Sequence, residues 1–231
     1  MVDKLLDFFF PPKCPFCNDI LTKKAPVCHA CMNKLPLIDE NACRICGRPM
    51  EEFSLSLCAG CVNQKTYFQH SFVPLIYKGN AKDAAILLKK SHPYYAKAFA
   101  YLLADKILTS PYYVKFDRIT FVPQNSKSRQ SRGYNQAELI AKELSKLLDI
   151  PCIPTLVRSN EGEPQHTLSL AERRKNVKKC YFKTDAVFDG TVLLVDDIYT
   201  SGATANYCSK LLLQMGFSKV YIAIALIRTN E

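Results

Sequence analysis

The sequence predicts an α/β fold: a parallel-rich sheet with helices on both faces, preceded by a small cysteine-rich module. Three observations predict it. Eight of the 11 cysteines fall within the first 61 residues, as four CxxC pairs. Beyond them, short β-branched runs alternate with amphipathic helical stretches, the pattern of parallel strands joined by crossover helices. One of those runs, Val192 to Val195, ends in Asp196 and Asp197 and empties through a short polar turn into a helical pattern at Ala203.

At 231 residues, 48% hydrophobic and 23% charged, the chain has the size and composition of one medium domain plus a small module. No run approaches the roughly eighteen apolar residues of a membrane span. The segment LLDFFFPP is too short for one and contains Asp7, so it reads as neither span nor signal peptide, and the expected compartment is the cytoplasm. The formal charge is +10, unevenly distributed. Residues 1–65 carry 8 Lys/Arg against 7 Asp/Glu, whereas residues 66–231 carry 23 against 14. The larger, basic part suits polyanions, whether nucleotide or nucleic acid.

The cysteine pairs are Cys14/Cys17, Cys28/Cys31, Cys43/Cys46 and Cys58/Cys61. Two residues between thiols let the chain form a tight knuckle that directs both sulfurs at one ion, and two knuckles complete a tetrahedral Cys₄ site. Pro15 supplies a rigid entry and Gly47 a left-handed exit. Eight ligands give two structural zinc sites, with an iron–sulfur cluster as the alternative occupant. Sequential pairing places 14/17/28/31 on one ion and 43/46/58/61 on the other; a cross-brace is the rival, and His29 is an alternative ligand in the second knuckle. Two Zn(Cys⁻)₄ units lower the formal total to about +6 and leave the module acidic. The remaining Cys152, Cys180 and Cys208 lack partner spacing and read as buried apolar residues.

The boundary falls near residues 63–70, giving a metal-binding module over 1–65 and an α/β domain over 66–231. In that domain SFVPLIY (71–77) reads as a strand, Lys78-Gly79-Asn80 as a turn and AKDAAILLKK (81–90) as a helix stopped by Pro93. A second helix runs from Tyr94 to Leu108. RITFVP (118–123) is a strand followed by turn chemistry, NQAELIAKELSKLLD (135–149) an amphipathic helix, and IPCIPTLVR (150–158) leads into a short strand. Residues 159–179, polar and without a clean period, read as a long loop with one helical turn. A strand over 191–197, a helix over 203–215 capped by Gly216, and a closing strand KVYIAIALI (219–227) complete the order. Ligands of such sheets bind beyond the carboxyl ends of the strands, where Asp196 and Asp197 lie. Two adjacent acids are costly at the end of a buried strand unless paired. They suit the vicinal hydroxyls of a ribose, while the following loop and helix N-terminus suit its 5′-phosphate.

The segment VLLVDDIYTSGAT (192–204) resembles the phosphoribosyl pyrophosphate (PRPP) signature of type I phosphoribosyltransferases. SRQSRGYNQAELIA (128–141), the spaced Leu156, Arg158, Gln165, Leu168, Glu172-Arg173 and Asn176, and the cysteine-rich front end resemble the ComF family. The resemblance covers essentially the whole chain. It implies a type I phosphoribosyltransferase-like sheet behind a zinc-finger module, and a role in natural competence and transformation, handling incoming single-stranded DNA alongside a helicase and a recombination mediator. By position it implies that Asp196 and Asp197 hold the ribose hydroxyls and that Thr200, Ser201, Gly202, Ala203 and Thr204 cradle the 5′-phosphate. Mg²⁺ then bridges pyrophosphate and ribose oxygens. Arg129 and Arg132 face the pyrophosphate, and Arg173 closes over the site on a mobile segment. The chain departs from the family pattern in FVPQNSKSRQ, where a second proline and a more basic run are expected, and in TSGAT for TTGAT.

Two main readings of use remain open, beside a third in which the cysteine array is a partner-docking module. As a transferase, with Asp196, Asp197, Arg132 and Arg173 as the catalytic set, the chain has the parts that stabilise departure of pyrophosphate, yet nothing in it specifies an acceptor. As a non-catalytic nucleic-acid-binding or adaptor protein retaining the pocket, it offers Arg129, Arg132, Arg173, Arg174, Lys175, Lys178 and Lys179, with Tyr112, Tyr113 and Tyr134 as stacking surfaces.

Overall fold

In a computed structural model the described residues are 11–21, 25–51, 56–159 and 177–229. Two short helices, α1 (His29–Met32) and α2 (Ala59–Val62), each follow the first thiol of a knuckle. Strands β1 (Ser71–Phe72) and β2 (Leu75–Ile76) lead to α3 (Gly79–Lys90), a 3₁₀ turn (Pro93–Tyr95) and α4 (Ala96–Leu108). Then come β3 (Arg118–Phe121), α5 (Ser126–Arg132), α6 (Gln136–Leu148), β4 (Leu156–Arg158), β5 (Tyr181–Lys183), β6 (Thr191–Tyr199), α7 (Ala203–Gln214) and β7 (Lys219–Ile227). No helix among the described residues is long and apolar enough to cross a membrane.

The main sheet is wholly parallel, in the order β1-β7-β6-β3, with β2 also pairing β7. Of its two long central strands, β7 is buried past its first residue and β6 is buried over Val192–Val195, as strands covered on both faces must be. Alternate residues serve opposite layers. Leu193, Val195, Ala223 and Ala225 share a core with α4 and α6, whereas Val192, Leu194, Ile222 and Ile224 share one with Cys208, Leu211 and Leu212 of α7. This is the predicted α/β arrangement, with helices on both faces.

The cysteine-rich segment belongs to the same two cores. Cys14, Phe16, Val27 and Cys31 join the first, where Phe16 packs edge-on against Phe99 at 5.9 Å. Cys43 and Cys46 join the second. Gly47 (φ 70°) seats the third knuckle against β1: a Cβ there would come within 2.8 Å of the Ser71 carbonyl and of Val73. Lys106 of α4 also donates to the Ile38 carbonyl at 2.7 Å.

Several elements differ from expectation. Pro74 splits 71–77 into two short strands, because it has no amide to donate to the ladder. The 78–80 turn is instead the start of α3, whose N-cap is the extended Lys78. Pro93 opens a 3₁₀ turn before α4 rather than leaving Tyr94 as a helix start. The turn expected after β3 contains α5. Strand β6 continues past the acids to Tyr199, held by β7 in one register from Thr191↔Lys219 to Tyr199↔Ile227. Strands β4 and β5 pair antiparallel in a separate two-stranded sheet. Cys180 and Cys208 are buried as expected, Cys152 only partly. The helical turn expected in 159–179 mostly lies outside the described residues; residues 177–180 are helical.

Candidate functional site

The site is built at the carboxyl end of β6. The fully buried run Val192–Val195 fixes the strand between β3 and β7 and delivers two acids to its rim. Each carboxylate turns back on the chain: Asp196 Oδ1 accepts from the Asp197 amide at 2.9 Å, and Asp197 Oδ1 from the Ile198 amide at 2.8 Å. Burial raises the Asp196 carboxyl well above the usual carboxylate range, and the adjacent Asp197 charge raises it further. Two neighbouring acids, one reluctant to ionise, form a site that gains by receiving donors or a cation.

A cation is already at hand. Lys89, from the last turn of α3, pairs with Asp197 through Nζ–Oδ2 at 3.0 Å. Sequence reasoning missed it, because no local spacing links residue 89 to residue 197. The RGYNQ motif explains how α3 is brought there. Gly133 (φ 80°) ends α5 in the left-handed region, and Asn135 caps α6 by accepting from the Ala137 amide at 3.1 Å. The same Asn135 donates to the Val122 carbonyl at 2.9 Å, just past β3, while Tyr134 donates its hydroxyl to the Leu88 carbonyl at 2.7 Å. The motif therefore fastens α3 and α6 to the rim of the sheet. Tyr134, expected as a stacking surface, is an anchor.

Beyond the acids, Thr200 and Ser201 are partly exposed, Gly202 and Ala203 are buried, and α7 starts at Ala203. Gly202 caps the helix at φ 75°, and any Cβ there would overlap the Tyr199 hydroxyl. Ser201 Oγ accepts from the Ala203 amide at 3.4 Å. Thr204, partly exposed, lies in the first turn of α7. A twelve-residue helix thus points its N-terminus, with its partial positive charge, at the rim that carries the two acids.

Of the basic residues, Arg129 is well exposed and lies 3.4 Å from Glu138. Arg132 reaches Gln124 at 2.8 Å once that amide is oriented to suit its neighbours. Lys178 and Lys179 are exposed. Arg158 lies over the Tyr181 ring at 5.1 Å. Tyr112 and Tyr113 are exposed, Tyr112 stacking on His70 at 4.4 Å. Arg173, Arg174 and Lys175, with Gln165, Leu168, Glu172 and Asn176, lie outside the described residues.

The thiols gather in two groups, Cys14/Cys17/Cys28/Cys31 and Cys43/Cys46/Cys58/Cys61, the sulfurs of each within 4.8 Å of one another. This is the sequential pairing, not the cross-brace, and His29 is in neither group. The Cys17–Cys28 and Cys46–Cys58 separations of 3.6 and 3.7 Å match the edge of a tetrahedron with Zn–S bonds of about 2.3 Å. Hydrogen bonding within the second group draws Cys43 down and pushes Cys61 up, so four such thiols ionise together only around a cation. Both groups are structural zinc sites, closed by four thiolates.

A double zinc ribbon domain model matches residues 5–65. The chain is 27% identical to competence protein ComFC of Bacillus subtilis over 218 residues, 91% of this chain and 87% of that protein. It is 29% identical to competence protein F of Haemophilus influenzae over 217 residues, covering 91% and 82%. DNA utilization protein YhgH of Escherichia coli K12 is 27% identical over 201 residues, covering 85% and 88%. Among solved structures it is similar to adenine phosphoribosyltransferase of Thermoanaerobacter pseudethanolicus, with TM-score 0.36 and 19% identity over 58% of this chain and 82% of that one. Likeness along 91% of the chain, two Cys₄ ribbons in tandem and the DDIYTSGAT rim agree with one another: along its length the chain is similar to the competence proteins of the ComF family.

Proposed function

We propose that this chain binds PRPP with Mg²⁺ at the carboxyl end of β6 and acts in natural competence, handling incoming single-stranded DNA. The observation that carries the binding reading is the rim itself: two acids, then a tight loop, then a helix N-terminus, all on one strand end. Asp196 and Asp197 accept hydrogen bonds from the ribose hydroxyls. The amides of Thr200 to Thr204 receive the 5′-phosphate, with Gly202 letting the backbone come close. Mg²⁺, bound with the ligand, would offset the negative charge of its pyrophosphate. Lys89 then exchanges its carboxylate partner for the ligand's negative oxygens, since a partly exposed pair of this kind is weak. The names of the relatives support the competence role.

The test is thermal. PRPP with Mg²⁺ at about a hundred times Kd adds about 2.7 kcal/mol of stability, visible as a rise of several degrees in melting temperature. Asp196→Asn/Asp197→Asn abolishes the rise. No shift in the wild type at saturating PRPP overturns the pocket.

The exposed Arg129, Lys178 and Lys179 favour a second use of the basic domain, as a nucleic-acid surface with or without transfer chemistry. Single-strand affinity should then fall steeply with salt, and Arg129→Ala/Arg132→Ala should make the slope shallower by about one unit for each phosphate no longer neutralised. A salt-independent interaction speaks against it.

A further inference from the structure

The second ribbon does more than cover the sheet. Its Arg48, two residues after Cys46, extends from the knuckle to the phosphate loop: Nη1 donates to the Arg228 carbonyl at 2.9 Å and Nη2 to the Thr200 carbonyl at 3.4 Å. The backbone of the same residue closes the knuckle, its carbonyl accepting from the Cys43 amide at 2.8 Å. Arg48 is therefore tied to the metal site by its main chain and to the loop by its side chain. Arg228, past the end of β7, donates its amide to the Tyr199 carbonyl at 2.9 Å and stacks over Tyr77 at 4.7 Å. The loop is thus bracketed at consecutive carbonyls, Tyr199 and Thr200, one held by the chain leaving β7 and the other by the ribbon.

Tyr199 completes the bracket. Its ring is buried, and its hydroxyl occupies the volume that a Cβ on Gly202 would need. It shares a core with Cys43 and Cys46, against which the partly buried Cys58 and Cys61 also pack. The ring thus stands between the second thiol group and the turn that starts α7.

The geometry points to Arg48 and Tyr199 as positioning residues for the phosphate loop, through which the second zinc ribbon fixes the loop in its anion-binding shape. The reason is peptide planarity. Carbonyl and amide of one trans peptide point in opposite directions, and no cis bond occurs among the described residues. Holding the Thr200 carbonyl on the ribbon side turns the Ser201 amide to the opposite side of the loop. A guanidinium suits this task, since its rigid fork spans two carbonyls where an ammonium serves one at a time. Preorganised amides bind an anion without a reorganisation cost. The inference rests on the PRPP reading of the loop.

The experiment compares wild type, Arg48→Met, Arg48→Lys and Tyr199→Phe as zinc-replete full chains. It measures zinc content, amide exchange of ligand-free protein over 198–206 and 56–62, and PRPP affinity with Mg²⁺. Arg48→Met is expected to keep two zinc ions, to speed exchange over 198–206 alone and to weaken PRPP by about tenfold, the loss of one charge-assisted hydrogen bond. Arg48→Lys should recover part of both, and Tyr199→Phe, which keeps the ring, should change neither strongly. Unchanged exchange and affinity in Arg48→Met overturn the inference. So does loss of zinc, or faster exchange spread over both segments, which would place the role of Arg48 inside the ribbon. A wild type that does not bind PRPP sinks the pocket reading alone, and exchange over 198–206 still decides whether Arg48 holds the loop.

Discussion

At the scale of single residues, the site holds its acids in tension. Burial and the neighbouring Asp197 charge both oppose ionisation of Asp196, so its folded carboxyl binds a proton more tightly than the unfolded one does. A raised carboxyl contributes stability at low pH and loses it as pH rises through the folded value. Asp196→Asn should therefore raise the melting temperature of the ligand-free protein at neutral pH, by roughly 2 °C or more, and the gain should vanish on acidification. The same substitution should remove the PRPP-induced rise, separating stability from binding at one position. An unchanged or lower melting temperature at pH 7 would contradict this account of Asp196. Gly202 is the second informative residue. Gly202→Ala meets both a left-handed φ of 75° and the Tyr199 hydroxyl, so it should cost more than the usual ~1 kcal/mol of a glycine replacement and weaken ligand binding.

Among the elements, those with a strong local period were legible and those set by tertiary pairing were not. The amphipathic pattern from Gln136 to Leu148 and the apolar runs of β6 and β7 carry their own signal. The split at Pro74 was readable in principle from the missing donor. The separate β4–β5 pair was not, because its partners lie more than twenty residues apart, too far for a tight hairpin turn to set their register. The acids and the loop were found because they follow one another in sequence. Lys89, Arg48 and the anchoring use of Tyr134 were missed because each acts on backbone or side chains distant in sequence. RGYNQ carried the family resemblance, with Arg132 alone expected at the ligand; structurally, Asn135 is a cap and a strap at once. Asn135→Ala removes both the α6 cap and the bond to the Val122 carbonyl and should cost about 1–2 kcal/mol. Urea unfolding with an unchanged m-value would measure it, and a loss below about 0.5 kcal/mol would mean water replaces the cap.

For the molecule as a whole, the ribbons are not appended to the sheet. Each contributes buried residues to a different core, one on either face. Chelation of zinc should therefore lower the melting temperature of the entire chain in one transition; a first transition confined to the ribbons, with the sheet melting at its holo temperature, would contradict this. The order of strands has a further consequence, for synthesis. Strand β7 is last in sequence yet lies between β6 and the β1/β2 pair, with Ser71 beside Ile222. Until residues 219–227 have cleared the ribosome, β1 and β2 lack their sheet neighbour and the ribbons have no finished sheet to dock on. The nascent chain thus carries two reactive thiol clusters through most of its translation, before the cores that later enclose them exist. Zinc withheld during synthesis should therefore lower the yield of native protein more than zinc removed and restored after release, and equal recovery in the two cases would contradict this.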